Sequence, residues 1–356
     1  MDHNNILFEK VLESKPYDAL VALDKVWIDN PDSLKIIESL HPIPLYYIDQ
    51  KYPTIHAPKA YEYLTRLLTR LPKELHFPFV KRFVQYLSLI SKCNWDFTNS
   101  KPSGTHNATP DPWAGYISSL KQRKGNSAFY SALRFVEEKS LEDFFKICLQ
   151  IACNDVGQII GHYFSCSESV VRYGLKVGMP DAKNHIFLLT QYLMQSSPII
   201  IDHYETPSLE FEQLLSNCIK KRSFVGYHYI ILANGLIKNK EVVGLEYYTN
   251  ALAGLQKSIS GLQDILTTEI ITKIIGDQKP NTPDLLENLK LSMENGDKAK
   301  SFAALRAYLK EFGATNDLMN AIITAYPKIN DHPQDPHYLT FPLSAFELVP
   351  LLGEVD

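Results

Sequence analysis

Paired cysteines, long hydrophobic runs and a dominant charge are all missing from this chain of 356 residues. No apolar stretch approaches the roughly 18 residues that a bilayer span requires. The best candidates, 196–201 and 229–237, stop far short, so no membrane partner is expected. The opening segment, MDHNNILFEK, has neither the basic nor the apolar region of a secretory leader. Five cysteines, at 93, 148, 153, 166 and 218, form no CxxC pair and are odd in number. Unpaired thiols of that kind fit a reducing compartment, and the expected location is cytoplasmic. Lys and Arg number 36 against 40 Asp and Glu, for a formal charge of −4. A nucleic-acid partner, which needs a concentrated basic field, is not expected.

Catalytic signatures are missing too. There is no phosphate-binding loop, dinucleotide-type glycine fingerprint, HExxH zinc motif or GxSxG elbow. Paired ExxH motifs, which build carboxylate-bridged di-iron sites in helical bundles, do not occur either.

What the chain has is helical periodicity. Residues 16–29 put Ala19, Ala22, Leu23, Val26 and Trp27 on one face, and residues 57–71 repeat the device with Tyr61, Leu64, Leu67, Leu68 and Leu71. Two-residue alternation is almost wholly missing. The expected fold is all-α, either a multi-helix bundle or an irregular array of antiparallel helical hairpins, with no significant β-sheet. Thr206 and Thr282, each before a proline, read as helix N-caps, and Gly174, Gly276, Gly296 and Gly313 read as helix ends. Residues 93–112 are rich in Asn, Ser, Thr and Pro and read as a functional loop within one continuous domain or as a linker between an N-terminal helical part, 1–92, and a C-terminal part, 113–356.

Candidate chemistry sits mainly in the C-terminal part. Residues 155–174, DVGQIIGHYFSCSESVVRYG, read as one helix that gathers Asp155, His162, Cys166, Ser169 and Tyr173 on a polar stripe. Gly157 and Gly161, each costly inside a helix by about 1 kcal/mol, imply close approach of another helix or a flat ligand. His162, Cys166, Tyr173 and His185 are the candidate cofactor- or ligand-binding residues, and His162 and His337 the candidate catalytic ones. His337 belongs to a group with Asp331, His332 and Asp335 in an irregular stretch, 326–342. A metal shared by His162 and His185 is disfavoured, because a hairpin would separate them by about 12 Å along the helix axis. No set of metal ligands and no particular cofactor is identified. His228 reads as a satisfied core histidine, and His56 and His41 have no evident companion.

Two functional classes fit these features. One is a helical enzyme or small-molecule binding protein, of oxidoreductase type, with an aromatic-lined pocket for an apolar or aromatic molecule. The other is a solenoid-like scaffold for a protein partner, without catalytic activity.

Overall fold

A computed structural model describes residues 3–46, 54–92, 110–195, 206–221, 224–263, 284–313, 315–329 and 337–348. Among these residues the chain forms α-helices, short 3-10 turns and connecting turns, with no strand. The all-α expectation holds.

The N-terminal segment contributes α1 (His3–Leu12), α2 (Pro16–Asp29), α3 (Ser33–Ser39), α4 (His56–Leu68) and α5 (His76–Leu89). The middle of the chain adds α6 (Pro112–Lys121), α7 (Gly125–Glu138), α8 (Leu141–Cys153), α9 (His162–Val177), α10 (Lys183–Leu193), α11 (Phe211–Lys220), α12 (Phe224–Lys238), α13 (Lys240–Val243) and α14 (Leu245–Ser260). The last helices are α15 (Leu285–Glu294), α16 (Lys298–Phe312), α17 (Asn316–Ile329) and α18 (His337–Leu348).

Start signals close to the chain decide several of these boundaries. Asp32, Asp111, Ser140, Asp284 and Asp297 each accept a backbone N–H of the first turn that follows, which satisfies one of the donors a helix start leaves open. Glu210 and Gln213 form a reciprocal capping box at the start of α11. The expected Thr206 cap is therefore displaced: the helix begins at Phe211. Asp284 caps α15, and Thr282 lies outside the described residues. Gly313 ends α16 and Gly296 follows α15, both with left-handed backbone, as expected. Gly174 does not end a helix, since α9 runs on to Val177 and closes at Gly178. Gly174 is instead a packing residue: a Cβ there would stand 2.6 Å from Phe145 and 3.1 Å from the His185 Cβ.

Sequential helices pair as hairpins at α1–α2, α6–α7 and α15–α16. The centre of the molecule is arranged differently. Helices α4, α9, α12 and α18, far apart in sequence, pack side by side in a ring: α4 on α9, α9 on α12, α12 on α18, and α18 on α4. Their cross-links match residues at equal distances from each helix start. Lys59 bonds Ser165 three residues in, Tyr63 bonds Ser344 seven residues in, and Arg66 bonds Glu347 ten residues in. Matching offsets mean that α4, α9 and α18 run in the same direction and in register. An expectation of antiparallel hairpins alone misses this parallel centre.

Around it lie two large apolar cores. One joins α6 to α14; the other joins α1 to α5 with Tyr173 of α9, Ile231 of α12 and Leu339 and Leu343 of α18. The proposed separation at 93–112 falls largely on residues outside those described. The N-terminal helices nonetheless share a core with the last ones.

Candidate functional site

The ring of parallel helices carries polar side chains inward, in layers set by the helical repeat. The first layer is four histidines, one from each helix. His56, His162 and His337 are the first residues of α4, α9 and α18, and His228 lies in the second turn of α12. One ring nitrogen of each lies within 4.8 Å of the others. His162 and His228 are buried; His56 and His337 are largely covered. The His56 and His162 rings stand edge to face, 88° apart with centroids 4.7 Å apart. His228 is 4.5 Å from both His162 and His337, centroid to centroid. Steeply inclined rings allow nitrogen lone pairs to point at one centre.

One hydrogen bond fixes the tautomer of His162. His162 Nδ1 lies 2.5 Å from the carbonyl oxygen of Ile159. A carbonyl only accepts, so Nδ1 carries the proton and Nε2 presents its lone pair inward. Nε2 of His56 sits 2.8 Å from that atom, while its Nδ1 meets the Thr54 hydroxyl at 2.9 Å. A hydroxyl can donate or accept, so Thr54 supports either tautomer of His56. Two nitrogens held at about 2.0–2.1 Å from one ion and at right angles to each other lie roughly 2.9 Å apart. The His56–His162 spacing matches that geometry.

Burial pushes His56 and His162 well below the ordinary histidine range. For His162 the ammonium of Lys59 and the ring of His228 add to the effect, while the Ile159 carbonyl opposes it. The two rings are neutral at physiological pH, the form that binds metal ions.

His162 owes its position to a strained turn. Residues 155–161 are not the start of one long helix, as the sequence suggests. Helix α8 ends at Cys153, a turn follows, and α9 begins at His162. Ile159 (φ 45°, ψ 36°), Ile160 (φ 47°, ψ 46°) and Gly161 (φ 81°) are all left-handed. For branched side chains that conformation costs about 1–2 kcal/mol per residue. It turns the Ile159 carbonyl onto the His162 ring. Gly161 is required by its backbone and by space alike: a Cβ would stand 2.9 Å from Leu232 of α12. Asp155, placed in that turn, does not share a face with His162.

The second layer holds Lys59 and Ser165, joined by a bond of 2.9 Å in a fully enclosed setting. Desolvation lowers the Lys59 pKa; the neighbouring Cys166, Glu168 and Glu62 oppose it. The lowest layer is charged. Glu62, Arg66, Glu347 and Lys238 form one ion-pair network across α4, α12 and α18, and Glu168 pairs with Arg172 and accepts from Asn239 beside it.

The structure divides the sequence-derived site residues. His162 and His337 come together. Cys166, on the next turn of α9 and fully buried, lies beside Lys59 with its thiol pushed up by desolvation, and does not belong to the histidine group. Tyr173 and His185 lie elsewhere. The Tyr173 ring stacks on Tyr61 at 4.2 Å and meets His185 edge-on at 4.6 Å, while its hydroxyl donates to the His41 carbonyl. Rings of His41 and His185 stack at 5.4 Å and only 22° apart. Neither ring belongs to the four-histidine group.

His56, which has no evident companion in the sequence, and His228, which reads there as a core residue, complete the group. One faint signal was available: His162, His228 and His337 each open a His-Tyr-apolar triplet, although His203-Tyr204, outside the described residues, shares the dipeptide. Asp331, His332 and Asp335 also lie outside the described residues. The stretch expected to be irregular becomes helical at His337 and continues through Pro342.

No family model matches the chain, and neither does a curated protein or a solved structure.

Proposed function

We propose that the chain is a metalloprotein that holds one divalent first-row transition-metal ion on His56, His162, His228 and His337, and that the ion carries oxidoreductase-type chemistry on a small organic molecule. The convergence of four imidazoles from four separate helices is the observation that carries this reading.

The donor set is all nitrogen and all neutral. Imidazole suits zinc, copper, iron and nickel, and the lack of carboxylate donors disfavours magnesium and calcium. Four imidazoles need not fill the coordination shell of iron or copper, so a position is left for a reacting ligand. Starts of α4, α9 and α18 all lie at this level. Their dipoles favour an anionic ligand on the ion, and the positive end of each helix discourages protonation of the ring it carries. An in-register parallel bundle fixes the four rings from below, which is the rigid support a reactive centre requires. The scaffold reading rests on short connections and good caps, features that an enzyme shares.

Metal analysis and absorption and electron-paramagnetic spectra of the protein as purified test the proposal, repeated on His162→Ala. One ion of iron or copper per chain, lost in the variant, is the expected result. Stoichiometric zinc would keep the metal site and remove the redox half of the reading. A metal-free protein that takes up neither cobalt(II) nor zinc(II) would overturn both.

A further inference from the structure

A divalent ion on four neutral imidazoles brings two uncompensated positive charges into a buried bundle, which is costly unless negative charge lies nearby. The inference that follows rests on the metal reading above. Among the described residues, three carboxylates face the bundle interior below the histidines: Glu62, Glu168 and Glu347. Two of them are already matched. Glu168 accepts from Arg172 Nε at 2.6 Å and from Asn239 at 3.2 Å. Glu347 is held by Arg66, Arg70, Lys238 and Asn234. Glu62 differs. Among the described residues its sole ion pair is a long one, 3.3 Å to Arg66 Nε, and Arg66 is shared with Glu347. The other oxygen of Glu62 is buried and has no hydrogen-bond partner among the described residues. It sits six residues from His56 on the same helix, about 9 Å along the axis.

We infer that Glu62 is the charge-compensating proton site of the four-imidazole centre: its carboxyl is protonated while the centre holds no ion, and it releases that proton to solvent when a divalent ion binds, leaving a carboxylate beneath the metal. The groups that face it are Lys59, Tyr63 and Arg66 on its own helix, Glu168 and Arg172 on α9, Lys238 on α12 and Glu347 on α18. The cations among them favour ionisation, and Glu168 opposes it. Burial outweighs both, and pushes the Glu62 carboxyl up to about 7. A divalent charge roughly 10 Å away, at an effective dielectric constant of about 20, should lower that value by about two units.

Cobalt(II) added to metal-free protein in weak buffer at pH 6.5, with released protons followed by an indicator dye, tests the inference on wild type and Glu62→Gln. Gln keeps the shape and a carbonyl for Arg66 but cannot titrate. Both proteins should bind one cobalt(II), and wild type should release roughly 0.7 proton more per ion. Any proton lost by the histidines is common to the two and cancels in the difference. Equal release with both proteins binding metal overturns the role of Glu62 and leaves the metal site standing. Failure of both to bind overturns the metal reading, and this inference with it. Should Glu62→Gln not fold, the protonated-carboxyl infrared band of wild type replaces it: the band should weaken when cobalt(II) is added, and an unchanged band overturns the inference.

Discussion

Two groups of histidines lie between the helices, and they teach different things. His56, His162, His228 and His337 meet at steep ring angles, each tied to a helix of the parallel ring. His41 and His185 lie flat against one another and meet Tyr173, eleven residues further along α9 than His162, edge-on. Both groups are desolvated. Both contain rings held well below the ordinary histidine range, with His185 lowered to about 3 and His41 to about 4, burial being the main cause in each. Burial and neutrality therefore do not make a site. Convergence does, and convergence here comes from the shared register of four helices.

The sharpest way to break that comparison is to remove one ring from each group. His162→Ala should abolish metal uptake. His185→Ala should leave metal uptake unchanged and cost stability instead. His185 is fully buried and packs on Tyr173, Gly174 and His41, so its loss leaves a cavity, with an expected penalty of about 2–4 kcal/mol. Denaturant melts beside a cobalt(II) titration of the same protein separate the two effects. Loss of metal in His185→Ala at full stability would erase the distinction.

A change of pH tests the stacked pair without mutation. His185 has a folded-state value of about 3 against 6.5 in the unfolded chain. Its neutral form is the one that folds. The unfolded chain thus binds more protons between those two values, and stability falls as pH is lowered through that window. Above pH 6.5 the contribution is fully present. At pH 5 it should be smaller by about 2 kcal/mol, from the logarithm of the proton binding at 1.36 kcal/mol per unit. Metal-free protein melted at pH 7 and pH 5 should lose more than that, because His41, His56 and His162 are lowered in the same direction, and His185→Phe should lose about 2 kcal/mol less than wild type. An equal slope in the variant would mean that His185 is not the group responsible.

How much of this was legible in the sequence follows from which forces act locally. The all-α fold was, because amphipathic periodicity at Ala19–Val26 and Tyr61–Leu68 is a local pattern, and so were helix ends at Gly296 and Gly313. The break before His162 was not, because two isoleucines in left-handed backbone contradict their own preferences and only tertiary packing holds them. His162 and His337 stood out as polar residues beside apolar ones. Their partners did not. His56 is 106 residues from His162, and no local rule joins them. The parallel register of α4, α9 and α18 is a tertiary fact, visible only once Lys59 meets Ser165, Tyr63 meets Ser344 and Arg66 meets Glu347. Tyr173 and His185 were grouped with His162 because they share its helix or the next one. Distance along α9 separates them in space.

The finest distinction within the histidine group concerns its outer support. Thr54 is buried, and its hydroxyl lies 2.9 Å from Nδ1 of His56. Once Nε2 of His56 faces an ion, Nδ1 must carry the proton and donate it, and Thr54 is the acceptor placed to receive it. Val has nearly the shape of Thr and lacks the oxygen. Thr54→Val should thus leave the fold intact while weakening metal binding about tenfold, near 1.4 kcal/mol, the lower end of what loss of an outer hydrogen bond to a ligating imidazole costs. Thr54→Ser, which keeps the hydroxyl, should restore most of that affinity. Competition between the protein and a chelator of known strength, run on the three proteins, reads the difference. If Val and Ser weaken cobalt(II) equally, the missing methyl or backbone shift is the cause, and His56 is oriented by packing alone. If only Val does, the ring is held by its hydrogen bond, as His162 is held by the carbonyl of Ile159.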